Sequence, residues 1–129
     1  MVLGSGIEGA GGAILLYHSP DLRQWHYLHP ACTGIASETG TVWECPNLFP
    51  ISDAPDAKWI LITSPIPMGR AIYFVGTFKD HRFTPEVCGE MDEGGCLYAP
   101  LLFRDQTGRR ILFGWLTENR PGRRWKRRQ

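Results

Sequence analysis

Apolar and polar residues alternate along most of this chain, in short runs that are separated by turn-forming residues. Alternation of this kind predicts half-buried β-strands, and no stretch keeps the 3.6-residue period of an amphipathic helix. Prolines recur through residues 46–85, which also argues against helix in that part of the chain. The predicted strands are residues 1–6, 13–18, 25–29, 43–51, 59–65, 71–78, a short strand near 83, 97–103 and 111–116, with loops at 30–42 and 90–95. The pattern therefore predicts an all-β protein.

Two of the predicted strands are copies of one another. The run W-E-C-P-N-L-F at residues 43–49 aligns with L-Y-A-P-L-L-F at residues 97–103, and each copy is followed by a turn and a second apolar strand. A repeat of about 50 residues built from short strands is typical of β-propeller blades. If both copies are innermost blade strands, Glu44 and Tyr98 hold equivalent positions and point toward the central channel.

The register of the repeat predicts how much of a propeller the chain contains. The chain is expected to begin at the second strand of one blade, to contain one whole blade and to end after two strands of a third. We therefore expect a partial propeller over residues 1–120 that is open at both ends. Residues 121–129 carry much of the positive charge and are expected to form a disordered basic tail.

Glu44 is the strongest candidate for chemistry. It lies between Trp43 and Cys45, at the start of an otherwise apolar run. A lone carboxylate in such surroundings is costly to ionise and tends to keep its proton near neutral pH, as a general acid must. From these residues alone, a glutamate on the solvent face of an edge strand is an equally good interpretation.

Composition narrows the class of protein. The formal net charge is +1 over 129 residues, which indicates neither a nucleic-acid partner nor an anionic surface for the body of the chain. No apolar run approaches the roughly 20 residues that span a bilayer, so no membrane partner is expected. The chain does not begin with a secretory leader, which slightly favours the cytoplasm, although a signal could precede Met1. Oligomeric state is not predicted.

Cysteine and histidine do not indicate a metal site. The four cysteines show no C-x-x-C pair and are expected to be free thiols that are mostly packed. They are Cys32, Cys45, Cys88 and Cys96. His26 and His29 are three residues apart, a spacing that suits a helix and not the strand predicted there, so we interpret them as solvent-facing or capping residues.

Further landmarks accompany the repeated motifs. In chain order they are V-L-G-S-G at 2–6, L-L-Y at 15–17, S-P-D-L at 19–22, W-E-C-P at 43–46, Y-F-V-G-T-F at 73–78, D-E-G at 92–94, L-Y-A-P at 97–100 and G-R-R-I at 108–111. This ordered series resembles glycoside hydrolase family 32, the invertase, levanase and inulinase group. The resemblance implies a five-bladed β-propeller and retaining hydrolysis of β-fructofuranosides, with sucrose or a fructan as substrate. It implies no metal and no cofactor.

The resemblance also implies roles for individual residues. Glu44 matches the family's general acid/base. Asp92 matches an acid that helps to bind the fructosyl unit, and Trp115 matches an aromatic wall of the sugar pocket. Trp43 flanks the acid, and Tyr98 is expected to line the site.

Two parts of the family's machinery do not occur in this sequence. The nucleophile is an aspartate in an Asn-Asp-Pro motif, and the transition-state stabiliser is the aspartate of an Arg-Asp-Pro motif; neither motif is present. Arg104-Asp105-Gln106 is not a substitute, because it falls in a predicted turn. Asn47 stands where the family usually has an aspartate, and the tail after Pro121 departs from the family pattern. We therefore expect the fragment alone to be inactive.

Two other functions remain open at this point. The first is a non-catalytic sugar-binding module that uses Asp92, Trp43 and Trp115 as a platform. The second is a related five-bladed propeller enzyme that acts on another furanoside, such as an arabinan. The W-E-C-P run at residues 43–46 argues against the second.

Overall fold

A computed structural model describes residues 1–117 as nine β-strands and one short helix. The predicted basic tail at residues 121–129 lies outside the described residues. The elements are β1 (Val2–Ile7), β2 (Gly11–His18), β3 (His26–Thr33), α1 (Ala36–Thr39), β4 (Val42–Pro50), β5 (Trp59–Ile66), β6 (Ile72–Lys79), β7 (Arg82–Glu90), β8 (Leu97–Arg104) and β9 (Arg110–Leu116).

The strands form three antiparallel sheets. Their orders are β1-β2-β3, β4-β5-β6-β7 and β8-β9, so within each sheet every strand pairs with its neighbour along the chain. β4 contacts β1 of the first sheet and β8 of the third, which places the second sheet between the other two. This arrangement confirms an all-β partial propeller, with three, four and two strands in successive blades.

Two stretches differ from the sequence prediction. The loop expected at residues 30–42 contains the end of β3, which continues to Thr33 because Ala31 and Cys32 are buried in the core. It also contains α1, a single helical turn that is too short to show a 3.6-residue period. The strand expected to be short near residue 83 is nine residues long, since β7 pairs with β6 along its whole length.

The hydrophobic core lies between the first and second sheets. Its buried members come from β2 to β7 and are Ile14, Ala31, Cys32, Trp43, Leu61, Ile72, Phe74 and Phe83. In the third sheet, by contrast, Phe113 and Trp115 are 63% and 64% exposed. Apolar packing therefore holds the first two sheets together more strongly than it holds the third.

The cysteines are free thiols, as predicted, but only half of them are packed. Cys32 and Cys96 are buried, whereas Cys45 and Cys88 are exposed. Burial raises the pKa of the Cys32 thiol to about 11. That thiol is therefore protonated at neutral pH and acts as a small apolar core residue.

Candidate active site

Glu44 and Tyr98 each precede a β-bulge, and the two bulges have the same form. The pairing of β4 with β5 is interrupted after Glu44, and the pairing of β8 with β9 is interrupted after Tyr98. In each copy the next residue is left-handed, with φ of 50° at Cys45 and 47° at Ala99. A left-handed backbone at a residue other than glycine costs about 1–2 kcal/mol of conformational free energy. Its occurrence at both places indicates that each bulge bends its strand in the same specific way. The two copies thus share backbone conformation as well as sequence.

The two bulges bring Glu44 and Tyr98 into direct contact. The Tyr98 hydroxyl donates a hydrogen bond to Oε2 of Glu44, and both residues are partly buried. Burial, reinforced by the hydrogen bond to Glu44 and by its charge, raises the pKa of Tyr98 to about 12. Tyr98 therefore keeps its proton at neutral pH and acts as a donor to the carboxylate.

The backbone of Glu44 is held by the strand beside it. The Thr63 hydroxyl donates to the Glu44 carbonyl oxygen at 2.9 Å, and Ser64 lies directly opposite Glu44 in the β4–β5 pairing. Both hydroxyl residues are fully buried. Buried and satisfied polar groups of this kind favour one geometry, so the point of the strand from which the Glu44 side chain projects is fixed.

Trp43 occupies a different place from the one predicted. Its side chain is only 1% exposed and packs against Phe74, with ring centroids 5.2 Å apart. The indole Nε1 donates to the carbonyl oxygen of Thr39 at 2.7 Å. Neighbouring residues of a strand point to opposite faces, so Trp43 enters the core while Glu44 faces away from it. The substrate-binding role predicted for Trp43 is corrected to a packing role beneath Glu44.

Trp115 lies beside Tyr98, across the β8–β9 pairing. The two rings meet edge to face, with centroids 6.2 Å apart and planes at 87°. Because the Trp115 side chain is 64% exposed, much of its surface is open to a ligand. Glu44, Tyr98 and Trp115 thus form a continuous row of acid, phenol and indole.

Asp92 lies in the loop that leads into β8. Its two carboxylate oxygens accept hydrogen bonds from the backbone N–H groups of Cys96 and Leu97, each at 3.1 Å. This carboxylate therefore orders the turn before Tyr98. The role of Asp92 in sugar binding remains a prediction.

Sequence reasoning missed the polar side chains that support the pair. Asn47 was noted only as a departure from the family, and Thr63 and Ser64 were included within an apolar strand. The available signal was a Thr-Ser pair inside a buried run, since buried hydroxyls require hydrogen-bond partners. Their partners lie on other strands, which the sequence alone does not reveal.

Arg104 is the last residue of β8, and Asp105 and Gln106 lie in the β8–β9 turn, where a turn was predicted. Asp105 accepts a hydrogen bond from Nε of Arg109 at 2.7 Å, and this contact is the main cause that lowers its pKa. Arg104 forms a bidentate ion pair with Asp53, at 3.0 and 2.9 Å. These ion pairs stabilise the β8–β9 turn and the neighbouring loop that contains Asp53.

The two histidines of β3 show no shared ligand geometry. His26 is exposed, and Nδ1 of His29 lies 3.0 Å from the carbonyl oxygen of Pro30. Within residues 1–117, no group of three or more His, Cys, Asp or Glu side chains is placed to hold a metal ion. No helix in this part of the chain is long and apolar enough to cross a membrane.

The fold and the site define a class of protein: a propeller-type all-β domain with a glutamate at a bulge of an innermost strand. Residues 1–127 match the family described as glycosyl hydrolases family 32 N-terminal domain, so the chain belongs to glycoside hydrolase family 32. The match includes most of the basic tail.

Relatives of known name agree with this assignment. The chain is 33% identical to a sucrose-6-phosphate hydrolase of Klebsiella pneumoniae, over 90% of this chain and 27% of the relative. It is also 33% identical to a cell-wall β-fructofuranosidase of Zea mays, over 92% of this chain and 23% of the relative. The chain thus spans about a quarter of the length of these relatives.

Solved structures show the same fold. The sucrose-6-phosphate hydrolase of Lactobacillus gasseri superposes with a TM-score of 0.71 at 26% identity, over 90% of this chain and 26% of that one. Fructan 1-exohydrolase IIa of Cichorium intybus superposes with a TM-score of 0.69 at 22% identity, over 89% of this chain and 25% of that one. The three sheets therefore correspond to part of a family 32 domain.

Proposed function

We propose that this protein is a retaining β-fructofuranosidase in which Glu44 is the general acid/base. The observation that supports this most directly is the contact between Glu44 and Tyr98, which brings a hydrogen-bond donor to a carboxyl group on a fixed bulge. Membership of family 32, with relatives named as sucrose-6-phosphate hydrolases and a β-fructofuranosidase, supports the substrate class.

Glu44 acts twice in this mechanism. It first protonates the glycosidic oxygen as the bond to the fructosyl unit breaks, and it then takes a proton from the water that attacks the fructosyl-enzyme. Because the Tyr98 hydroxyl binds Oε2, proton transfer to the substrate falls to Oε1. The Thr63 hydroxyl binds the main-chain carbonyl oxygen of Glu44, which fixes the backbone from which this carboxyl projects through both steps.

The sugar is bound by the groups next to the acid. Trp115 offers an exposed indole face, and an aromatic ring packs well against the C–H face of a sugar. Asp92 supplies acceptor oxygens for sugar hydroxyls beside the entrance to β8. Together with Tyr98 these residues form one side of a fructosyl site.

A second carboxyl is required for retention, at about 5 Å from the acid/base. Because residues 1–129 contain neither the Asn-Asp-Pro nor the Arg-Asp-Pro motif, we assign the nucleophile to residues outside this range. Residues 1–129 expressed alone are therefore inactive. Clear turnover of sucrose by that fragment would contradict this assignment.

The test uses the full-length natural protein with sucrose and a short fructan. Nuclear magnetic resonance of the first product should show fructose released as the β-anomer, which is the retained configuration. Glu44→Gln should abolish hydrolysis, whereas Glu86→Gln, which alters an exposed ion pair with Lys58, should not. Release of the α-anomer, or full activity of Glu44→Gln, would overturn the proposal.

A further inference from the structure

We propose that Asn47 is a positioning residue, whose side-chain amide joins the bulge of β4 to the bulge of β8 and so sets Tyr98 against Glu44. The effect of Asn47 on the reaction rests on the proposed function. The positioning of Tyr98 by Asn47 does not, because the contact between Tyr98 and Glu44 can be measured whether or not Glu44 is catalytic.

The Asn47 amide uses both of its ends. Nδ2 donates to the carbonyl oxygens of Pro100 and Cys45, each at 2.9 Å, and Oδ1 accepts from the backbone N–H of Leu102 at 2.9 Å. Pro100 lies within the bulge of β8, and Leu102 follows it along the strand. The amide thus bonds to β8 through one donor and one acceptor, as the backbone of a neighbouring strand would.

Ser64 adds a second contact at the same place. Its hydroxyl oxygen accepts a hydrogen bond from the backbone N–H of Ala99 at 2.9 Å, and Ser64 is fully buried. Asn47 and Ser64, which we call the polar clamp, therefore hold three backbone groups directly after Tyr98. A network of this kind, partly buried at Asn47 and fully buried at Ser64, favours one geometry.

The polar clamp matters because no backbone ladder replaces it. β4 and β8 belong to different sheets, so the distance between their bulges depends mainly on side-chain contacts, beside one backbone hydrogen bond from the N–H of Ala71 to the carbonyl oxygen of Leu97 at 2.7 Å. Tyr98 directly precedes Ala99, the residue bound by Ser64. Release of the clamp should therefore move the phenol relative to Glu44.

An aspartate at position 47 cannot reproduce this arrangement. An ionised carboxylate has acceptors only, so it keeps the contact to Leu102 but faces the carbonyl oxygens of Pro100 and Cys45 without a proton to donate. The amide of Asn47 is therefore suited to this particular contact.

The experiment compares Asn47→Asp with the unchanged full-length natural protein. Ionisation of Tyr98 is followed by ultraviolet absorbance, with the curve of Tyr98→Phe subtracted to remove the other tyrosines. The midpoint should fall from about 12 toward 10.0, its ordinary value. Sucrose hydrolysis should show a kcat lower by about 10- to 100-fold, because a displacement of about 1 Å has effects of that size, while KM changes less.

A rescue by acid separates the polar clamp from a general loss of structure. Two carbonyl oxygens face the carboxyl that Asn47→Asp introduces, so it binds a proton more readily than an exposed aspartate. Once protonated, that carboxyl donates one hydrogen bond, and the ratio of variant to wild-type activity should rise as pH falls. Ser64→Ala, which removes a single contact, should also lower the ionisation midpoint of Tyr98, by a smaller amount than Asn47→Asp does.

Asp53→Asn is the matched control, because it breaks the exposed ion pair between Arg104 and Asp53 at the far end of the same contact between sheets. It should leave the Tyr98 midpoint unchanged. The positioning role is overturned if Asn47→Asp and Ser64→Ala both keep the wild-type Tyr98 midpoint, or if Asp53→Asn shifts it equally. A shifted midpoint combined with full activity of Glu44→Gln would uphold the clamp and reject the proposed function.

Discussion

The bulge of β4 and the bulge of β8 have the same backbone but different surroundings. In the first copy Trp43 is 1% exposed, and Ser64, opposite Glu44, is fully buried. In the second copy Leu97 is partly buried, and Trp115, opposite Tyr98, is 64% exposed. The repeated bulge therefore fixes where a side chain is presented, while the local sequence decides what is presented and how firmly.

This difference assigns separate tasks to the two copies. The first copy anchors the acid on the core that the first two sheets share. The second copy brings a phenol and an indole to the acid from a sheet with fewer buried apolar residues. Contact between copies, through Asn47, Ser64 and Tyr98, compensates for the weaker apolar packing of the third sheet.

The largest expected effect is on stability and concerns Trp43, which precedes Glu44, and Leu97, which precedes Tyr98. Trp43→Ala should lower the free energy of unfolding by about 3–5 kcal/mol, because it leaves a cavity in the core. Leu97→Ala, at the equivalent place in the second copy, should cost about 1–2 kcal/mol, since that side chain is only partly buried. Urea denaturation of the two variants measures the difference. Equal costs would show that the two copies are equally well anchored.

A smaller effect is expected from the phenol. Tyr98→Phe removes a hydrogen bond to a charged group, a contribution of about 1.5–3 kcal/mol, so kcat on sucrose should fall by roughly 10- to 100-fold. Tyr73→Phe is a control, because Tyr73 lies in β6, outside the two bulges. A kcat for Tyr98→Phe equal to that of Tyr73→Phe would show that Tyr98, and with it the second copy, takes no part in the reaction.

The Tyr98 proton should also make stability depend on alkaline pH. Its pKa in the folded state is about 12, above its ordinary value of 10.0, so the folded state holds this proton more tightly. The contribution is complete below about pH 10 and is lost as pH rises toward 12. Denaturation midpoints across this range should fall more in the wild type than in Tyr98→Phe. Identical slopes would mean that neither burial nor Glu44 raises the pKa of this phenol in the folded state.

The smallest effect concerns the left-handed residue of the second bulge. Ala99→Gly relieves a φ of 47° but adds freedom to the unfolded chain, so the net change should be a gain of up to about 1 kcal/mol. Ala31→Gly, in β3 and without a positive φ, should instead cost about 0.5–1 kcal/mol or more. Calorimetry of the two variants gives the sign of each change in the free energy of unfolding. A loss in both would argue against strain at the bulge.

Much of the fold follows from the sequence because the period of two and the internal repeat are strong signals. The equivalence of Glu44 and Tyr98 was predicted from these alone, and the structure brings the two side chains together. The length of β7 and the turn of α1 were not predicted, since pairing and packing with distant strands decide them.

The site was harder to predict than the fold, for two physical reasons. Trp43 was placed with the ligand because it adjoins Glu44 in sequence, although the alternation of a strand turns neighbouring side chains to opposite faces. Asn47 and Ser64 act on β8, which is more than 30 residues away along the chain. No local pattern reports such contacts, so their role was visible only in the structure.

The most direct test of the central claim compares two leaving groups in Glu44→Gln of the full-length natural protein. Sucrose needs its leaving oxygen to be protonated, whereas 4-nitrophenyl β-fructofuranoside releases a stable anion that needs little help. Single-turnover rates should fall by about 10²- to 10⁴-fold on sucrose and remain near the wild-type rate on the nitrophenyl compound. Equal losses on both substrates, or no loss on sucrose, would contradict the role of Glu44 as the general acid.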